Sequence, residues 1–587
     1  MKLSLRKFQR FVIVVVCQVA PIVSHSDDQH LYRIPECNVE SYVWPLDLPR
    51  VLTSSFGEYR TGRFHAGIDL RTNGVGRDIH AADDGHVARI LCSPYGYGKA
   101  VYLELKDGRT VVYGHLSDYN DALRAYVRAA QHAKKSYSVE LFPKADEFPV
   151  KRGELIAKNG ESGIGGPHLH YEIRDGAQRP INPVLLGISW PDAARPVVHK
   201  AVVAPEGPDG TVNGGYAPVV LEVQAAGPGQ WRCAPVRVSG KIGVGVEADD
   251  PGTEGAVFGV YRMRLLDGAN EAFMFRHDLL DYDNIRNGAV GYHPYLMDKG
   301  RFQLLWRWPG NICDSYAHCA GDGWLDAGTA PREVPVVIED FRGNAATLTI
   351  PLVPDATEPA APGAGGTGTG QVNVECLGNY LWVEAAFSAP ESETPVLLAD
   401  AAGQVSRIPF RRLDAAKFQA AWAPAASGAY TLNVEHPRVK TYPRAVSVAR
   451  QGEAARTLAL GDVSVGVDPG SPYGLLFARC YPPTSSSPAP APKLGPEYRL
   501  WPMDAPINVP VTVSFPMPVG IEQEGRAAVY AQSGNGWNRM ETERGGGRFL
   551  IKTRSFGTFA ILEDKTPPRI SGVAPEDRAA TASLRPE

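Results

Sequence analysis

Gly166-Pro167-His168-Leu169-His170-Tyr171-Glu172 is the stretch on which the reading of this chain turns. Alternate residues of an extended strand face the same way, so His168, His170 and Glu172 share one face while Leu169 and Tyr171 share the other. Two imidazoles on one face can converge on a single small site. Upstream, Ala100-Val101-Tyr102-Leu103-Glu104-Leu105 alternates, Asp107-Gly108 turns, and Thr110 to Leu116 returns, which predicts a hairpin. Its returning strand leads into Tyr113-Gly114-His115-Leu116-Ser117, where His115 is expected to share a face with Val111 and Tyr113. In His65-Ala66-Gly67-Ile68-Asp69 the outer residues have like parity, and Gly67 weakens a helical reading, so an extended stretch is expected. One helix is expected between Asp121 and Lys134, close behind His115.

Two histidines and a carboxylate satisfy the ligand count of a catalytic zinc site, which uses three protein ligands and leaves the fourth position for water. Two further histidines would then be free for proton transfer or for stabilising an oxyanion. A lone His-x-His is usually a solvated strand and a lone His-x-x-x-Asp carries less still. The case rests on the three motifs occurring together, each with its own flanking glycines or aromatic residues.

Together these motifs resemble those of the lysostaphin/LytM family of zinc endopeptidases, the M23 peptidases. The resemblance implies that His65, Asp69 and His170 bind Zn2+, and that His115 and His168 act as the unligated catalytic histidines, with base and acid not assigned between them. Ala81-Ala82-Asp83-Asp84-Gly85-His86-Val87, Gly153-Glu154-Leu155-Ile156-Ala157 and Gly160-Glu161-Ser162-Gly163 also resemble family segments. The likeness covers about residues 48–190, departing from the family pattern in a longer connection from Asp118 to Glu147 and in the extra His80 and His86, read as structural. It implies a mainly β fold, with a LytM-like antiparallel β-sheet catalytic domain, and peptidoglycan peptides as substrate, either stem-peptide cross-links or glycine-containing bridges. Glu172 reads as a surface carboxylate more readily than as a residue orienting a ligand. A non-catalytic scaffold that activates another wall hydrolase is the alternative, and a surface adhesin dominated by the later β-modules is a third reading.

At 587 residues the chain exceeds one core. Its 61 Gly and 49 Pro favour β-domains joined by linkers, and a net charge of −4 with no long basic run excludes nucleic acid as an expected partner. Lys2, Arg6, Lys7 and Arg10 precede an apolar run from Phe11 to Val23 and small residues at Ser24 and Ser26, which predicts a signal peptide over 1–26 and an exported product in the periplasm, cell envelope or medium. The run is short for a membrane anchor, and Val14-Val15-Val16-Cys17 lacks the small residue usual before a lipidated cysteine. No membrane span is expected after signal removal. Glu358 to Gly370 and Pro482 to Pro492 are low-complexity linkers. The expected division is therefore a peptidase domain over 38–190, β-sandwich domains resembling immunoglobulin modules over 197–355 and 373–480, linkers over 356–372 and 481–495, a β-domain over 496–563 and a tail over 564–587. The later modules carry no catalytic cluster; cell-wall or protein ligands are their expected partners. Of the seven cysteines left after signal removal, Cys313 with Cys319 and Cys376 with Cys480 are the expected disulfides.

Overall fold

The computed structural model describes residues 42–565, apart from 317–318, 320, 356–367, 441–443, 483–487, 504, 520 and 522–523. The expected signal segment and C-terminal tail, with Cys17, Cys37 and most of the first linker, lie outside the described residues. The chain is mainly β. The expected helix forms over Asp121–Lys134, capped by the Asn120 side chain accepting from Leu123 N and ended by Lys135 in the left-handed conformation. Its buried Leu123 and Val127 hold it to the sheets.

The first sheet is antiparallel throughout. Its order runs Leu52–Ser54, Ile68–Arg71, His168–Arg174, Thr110–Gly114, Lys99–Leu105, Gly85–Cys92 and Val139–Leu141. His168–Arg174 therefore lies between the strands that carry the other two motifs. Leu169, Tyr171 and Ile173 are fully buried on its far face, as strand alternation requires. A smaller sheet joins Asp78–His80, Leu155–Asn159 and Leu116–Tyr119. The chain thus leaves the first sheet after Gly114 and enters the second at Leu116, and the change of sheet is made at His115, whose φ is +59°. That left-handed kink breaks the alternation expected of it, so His115 does not continue the face of Val111 and Tyr113. The extra length after Asp118 is used by the helix and by Val139–Leu141, which covers the edge strand Gly85–Cys92.

Beyond residue 197 the strands form an eleven-stranded sheet over Val197–Pro354, a four-stranded sheet over Gly370–Trp422, a nine-stranded sheet over Val396–Glu563 and a five-stranded sheet over Arg456–Thr553. Arg332–Glu339 and Ala345–Pro354 form an antiparallel hairpin across Gly343-Asn344. The division expected at 481–495 falls inside a sheet instead. Leu475–Tyr481 pairs with Tyr498–Trp501, and Val463–Val467 pairs with Val511–Pro516. One apolar core accordingly mixes Leu458, Val463 and Val465 with Val513, Phe515 and Phe559. Neither expected disulfide forms: Cys313, Cys319, Cys376 and Cys480 are free. Cys319 Sγ lies against Met274 O, and Cys376 and Cys480 pack against different cores.

The first sheet and the eleven-stranded one meet along a tight seam. Leu280 N donates to Pro180 O, Asn182 N to Asp278 O and the Asn182 amide to His277 O. Phe64 stands edge-on to His277 with ring centroids 4.7 Å apart, and Tyr59 packs on Tyr292 at 4.6 Å. Gly57 sits at the centre of this contact. Its φ of +74° suits glycine, and a Cβ there would stand 2.3 Å from His277 Cδ2. Gly57 N also donates to His65 O. The seam and the first motif are therefore set by the same backbone. Gly57→Ala should lower the stability of the metal-free protein by about 1–3 kcal/mol through strain and overpacking. Calorimetry would check it, and an unchanged melting temperature would show that the seam yields without cost.

Candidate metal centre

Strand register assembles the centre. His170 is paired with Asp69 on one side and with Gly114 on the other. His65 reaches the same point from the Tyr59–Phe64 hairpin, its N donating to Glu58 O. The glycines of the motifs permit the close approach. A Cβ on Gly67 would lie 2.6 Å from Tyr171 O and 2.9 Å from His170 Cε1, and one on Gly114 would lie 3.3 Å from His170 Cβ.

His65 Nε2, Asp69 Oδ1 and His170 Nδ1 converge. The separations are 3.1 Å between the two nitrogens, 3.2 Å from His65 to Asp69 and 2.8 Å from His170 to Asp69. Zinc bonds of about 2.0–2.1 Å in a tetrahedron imply ligand-to-ligand distances of roughly 3.3 Å, so the three atoms already lie close to one face of such a figure. All three side chains are buried. Burial opposes charge on His170, but the carboxylates of Asp69 and Glu172 outweigh it and raise its pKa to about 9. Burial would likewise raise Asp69, yet its histidine neighbours hold it well below the usual carboxylate range. The pocket favours positive charge, and its donor set of two imidazoles and a carboxylate fits Zn2+.

The opposite atom of each ligand is fixed by a partner. His65 Nδ1 donates to Ser55 O at 2.8 Å, which leaves the Nε2 lone pair directed at the other two groups. His170 Nε2 faces Glu172 Oε1 at 2.8 Å. Asp69 Oδ2 accepts from Arg60 Nη2 at 3.0 Å. Glu172, expected at the surface, is instead fully buried, because Tyr97 and Tyr282 close over it. It accepts from Tyr97 OH at 2.5 Å, Tyr282 OH at 2.8 Å and Arg174 Nε at 2.7 Å. Burial works against its charge, but Arg174 and His170 hold the carboxyl well below the usual range.

His115 and His168 stand beside this group, ring centroids 4.6 Å apart. His168 Nε2 is 3.6 Å from Asp69 Oδ1. His115 Nδ1 donates to Ser162 O at 2.9 Å and His168 Nδ1 to Gly166 O at 2.7 Å. In both rings the Nε2 lone pair is then free to accept a proton. Burial and the neighbouring His170 lower the pKa of His115 to about 4, so it is neutral at pH 7. All five residues singled out in the sequence are thus brought together. They line a cleft of about 790 Å³ whose far wall carries Tyr282, Arg286 and Arg301 from the eleven-stranded region. His80 and His86 stand apart from it: His80 bonds Asp47 and Gly153 O, and His86 lies near Glu104.

Tyr97, Arg174 and Tyr282 were not foreseen from sequence. Arg174 continues the parity of His170 and Glu172 along its strand, a usable signal. Tyr282 lies 110 residues from Glu172 and carries none. Outer partners of a ligating histidine typically alter metal affinity by about 10–100-fold, so Glu172→Gln should weaken zinc binding by that order. Tyr282→Phe should weaken it less, by roughly threefold to tenfold. Competition with a chromophoric chelator measures both, and wild-type affinity in the two variants would reduce the network to a packing device.

Residues 63–136 match the model of Peptidase family M23. The DD-carboxypeptidase/endopeptidase Mpg of Neisseria meningitidis serogroup B is 33% identical over 155 residues, 25% of this chain and 29% of that protein. Cell division protein DipM of Caulobacter vibrioides is 26% identical over 151 residues, 25% of this chain and 20% of that one. The chain therefore spans less than a third of the length of these relatives. Among solved structures, the catalytic domain of the prophage-encoded M23 protein EnpA from Enterococcus faecalis is 29% identical, covering 23% of this chain and 90% of that one with a TM-score of 0.18. A zinc-containing peptidase from Vibrio cholerae is 28% identical, covering 26% and 41%, with a TM-score of 0.19. By its motifs and by this match, the region around residues 63–136 is similar to peptidase family M23.

Proposed function

We propose that this protein is an exported zinc-dependent endopeptidase that hydrolyses peptide bonds in peptidoglycan, with His65, Asp69 and His170 as metal ligands and His115 and His168 as the catalytic histidines. The convergence of the three ligand atoms beside two imidazoles with free Nε2 atoms carries this reading. Zinc bound there supplies a Lewis acid for the scissile carbonyl and makes hydroxide available near neutral pH. His115, neutral at pH 7, can take a proton at Nε2 from the attacking water. Once protonated, a histidine at either position can donate at Nε2 to the oxyanion or return the proton to the leaving amine. Ser162 O and Gly166 O keep both rings from turning. Arg60, Arg286 and Arg301 give the cleft cationic walls suited to the carboxylates of stem peptides.

The substrate class is supported by the relatives, one of which is by name a DD-carboxypeptidase/endopeptidase. Export is supported by the basic and apolar N-terminal stretch. Among the described residues no helix is long and apolar enough to cross a membrane. The complete set of five side chains favours catalysis over a scaffold that has lost its ligands.

Digestion of purified muropeptides, read by mass spectrometry with and without chelator, tests this function. His170→Ala should abolish both bound zinc and cleavage. His115→Ala should keep zinc and lose about 10²–10⁴-fold in turnover, the usual worth of a general acid or base. Full cleavage in chelator, or metal loss on changing His115, would overturn the assignment.

A further inference from the structure

A second group of possible metal ligands lies on the connection between the peptidase sheet and the eleven-stranded region. Asp192 belongs to that connection, Asp250 to the end of strand Val236–Pro251, and Asp340 to the turn between Arg332–Glu339 and Ala345–Pro354. One carboxylate oxygen from each lies within 4.8 Å of the others. Asp250 and Asp340 are each only 2% exposed.

The three differ in how they are satisfied. Asp340 accepts from Arg342 N, Asn344 N and the Asn344 amide, and Asp192 from Ala194 N. Asp250 has no such partner: its Oδ1 is sealed from water and accepts no hydrogen bond among the described residues. The charges that face it are carboxylates, those of Asp192, Asp340 and Asp249, and Asp249 is itself engaged by His199. Arg342, whose charge bears on Asp192, is turned to Trp190 O at 2.7 Å. Burial and the neighbouring carboxylates push the Asp250 pKa up to about 8. A buried carboxylate without donors, beside two others, is costly in its ionised form unless a cation stands among them.

We propose that Asp192, Asp250 and Asp340 form a calcium site that fastens the inter-sheet connection to the region beyond it. The donors are oxygens alone, which select a hard cation and leave zinc to the histidine site. Ca2+ accepts six to eight oxygens in flexible geometry, so three carboxylates can be completed by water and main-chain carbonyls. Calcium here ties together three segments distant in sequence. Around them Trp190, Phe341 and Tyr261 are in ring contact, at 6.5 Å and 4.7 Å between centroids. The site would stabilise the seam that presents Tyr282 without itself taking part in hydrolysis.

The test uses the full-length, zinc-loaded protein in calcium-free buffer. Titration with Ca2+ by calorimetry should show saturable binding to a single site, and Tb3+ in its place should luminesce on excitation of tryptophan, with Trp190 two residues from Asp192. Asp250→Asn should weaken Ca2+ binding by about tenfold or more. Its stability should stay the same with and without calcium, whereas that of the wild type should rise when calcium is added. Asp192→Asn, at the more exposed position, gives the same binding loss should the first variant fail to fold. Absence of saturable Ca2+ binding by the wild type overturns the proposal, as does unchanged binding in both variants. Wild-type stability that ignores calcium and rises on acidification would identify a proton, shared among the carboxylates, as the neutralising charge.

Discussion

The register of one central strand governs this molecule. His170 stands opposite Asp69 on one neighbour and Gly114 on the other. A slip of one residue would turn Leu169 and Tyr171 toward the site and both histidines into the core. The buried far face prevents that slip, since Leu169, Tyr171 and Ile173 have no solvent exposure to gain or lose cheaply. The hydrophobic packing of one side therefore fixes where His65, Asp69 and His170 converge on the other, an arrangement that a bound metal would have to alter little.

Around that strand the side chains form two shells of unlike origin. The inner one, His65, Asp69, His115, His168 and His170, comes from residues 65–170 alone. The outer one does not: Tyr282 reaches Glu172 from the following region, and Arg174 lies over the Tyr282 ring at 4.8 Å. Glu172 is charged and buried only because these donors surround it. The neighbouring β-region is consequently part of how the His170 ring is held, as well as part of the cleft wall.

Much of the centre was legible in the sequence because its signals are local. The parity of His168, His170 and Glu172, the glycines at 67 and 114 and the hairpin at Asp107-Gly108 are properties of short stretches. The helix over Asp121–Lys134 was legible for the same reason. The misses have one physical cause, which is that they depend on what a residue meets at long range. Glu172 looked like a surface carboxylate because nothing nearby in sequence covers it. His115 was placed on the Val111 face because alternation does not announce a change of sheet. The cysteine pairs were inferred from spacing, whereas pairing requires sulfurs to meet, and Cys376 and Cys480 pack in different cores. The low-complexity stretch near 485 marked a connection but not the scale of the structure it connects.

That last connection has a practical meaning. The strands on either side of it, Leu475–Tyr481 and Tyr498–Trp501, are hydrogen-bonded neighbours, and Val463–Val467 crosses to Val511–Pro516 beside them. A protease that nicks the proline- and serine-rich stretch would cut the covalent chain while leaving the shared sheet in place. The fragments would stay together on a sizing column and separate only under denaturing electrophoresis.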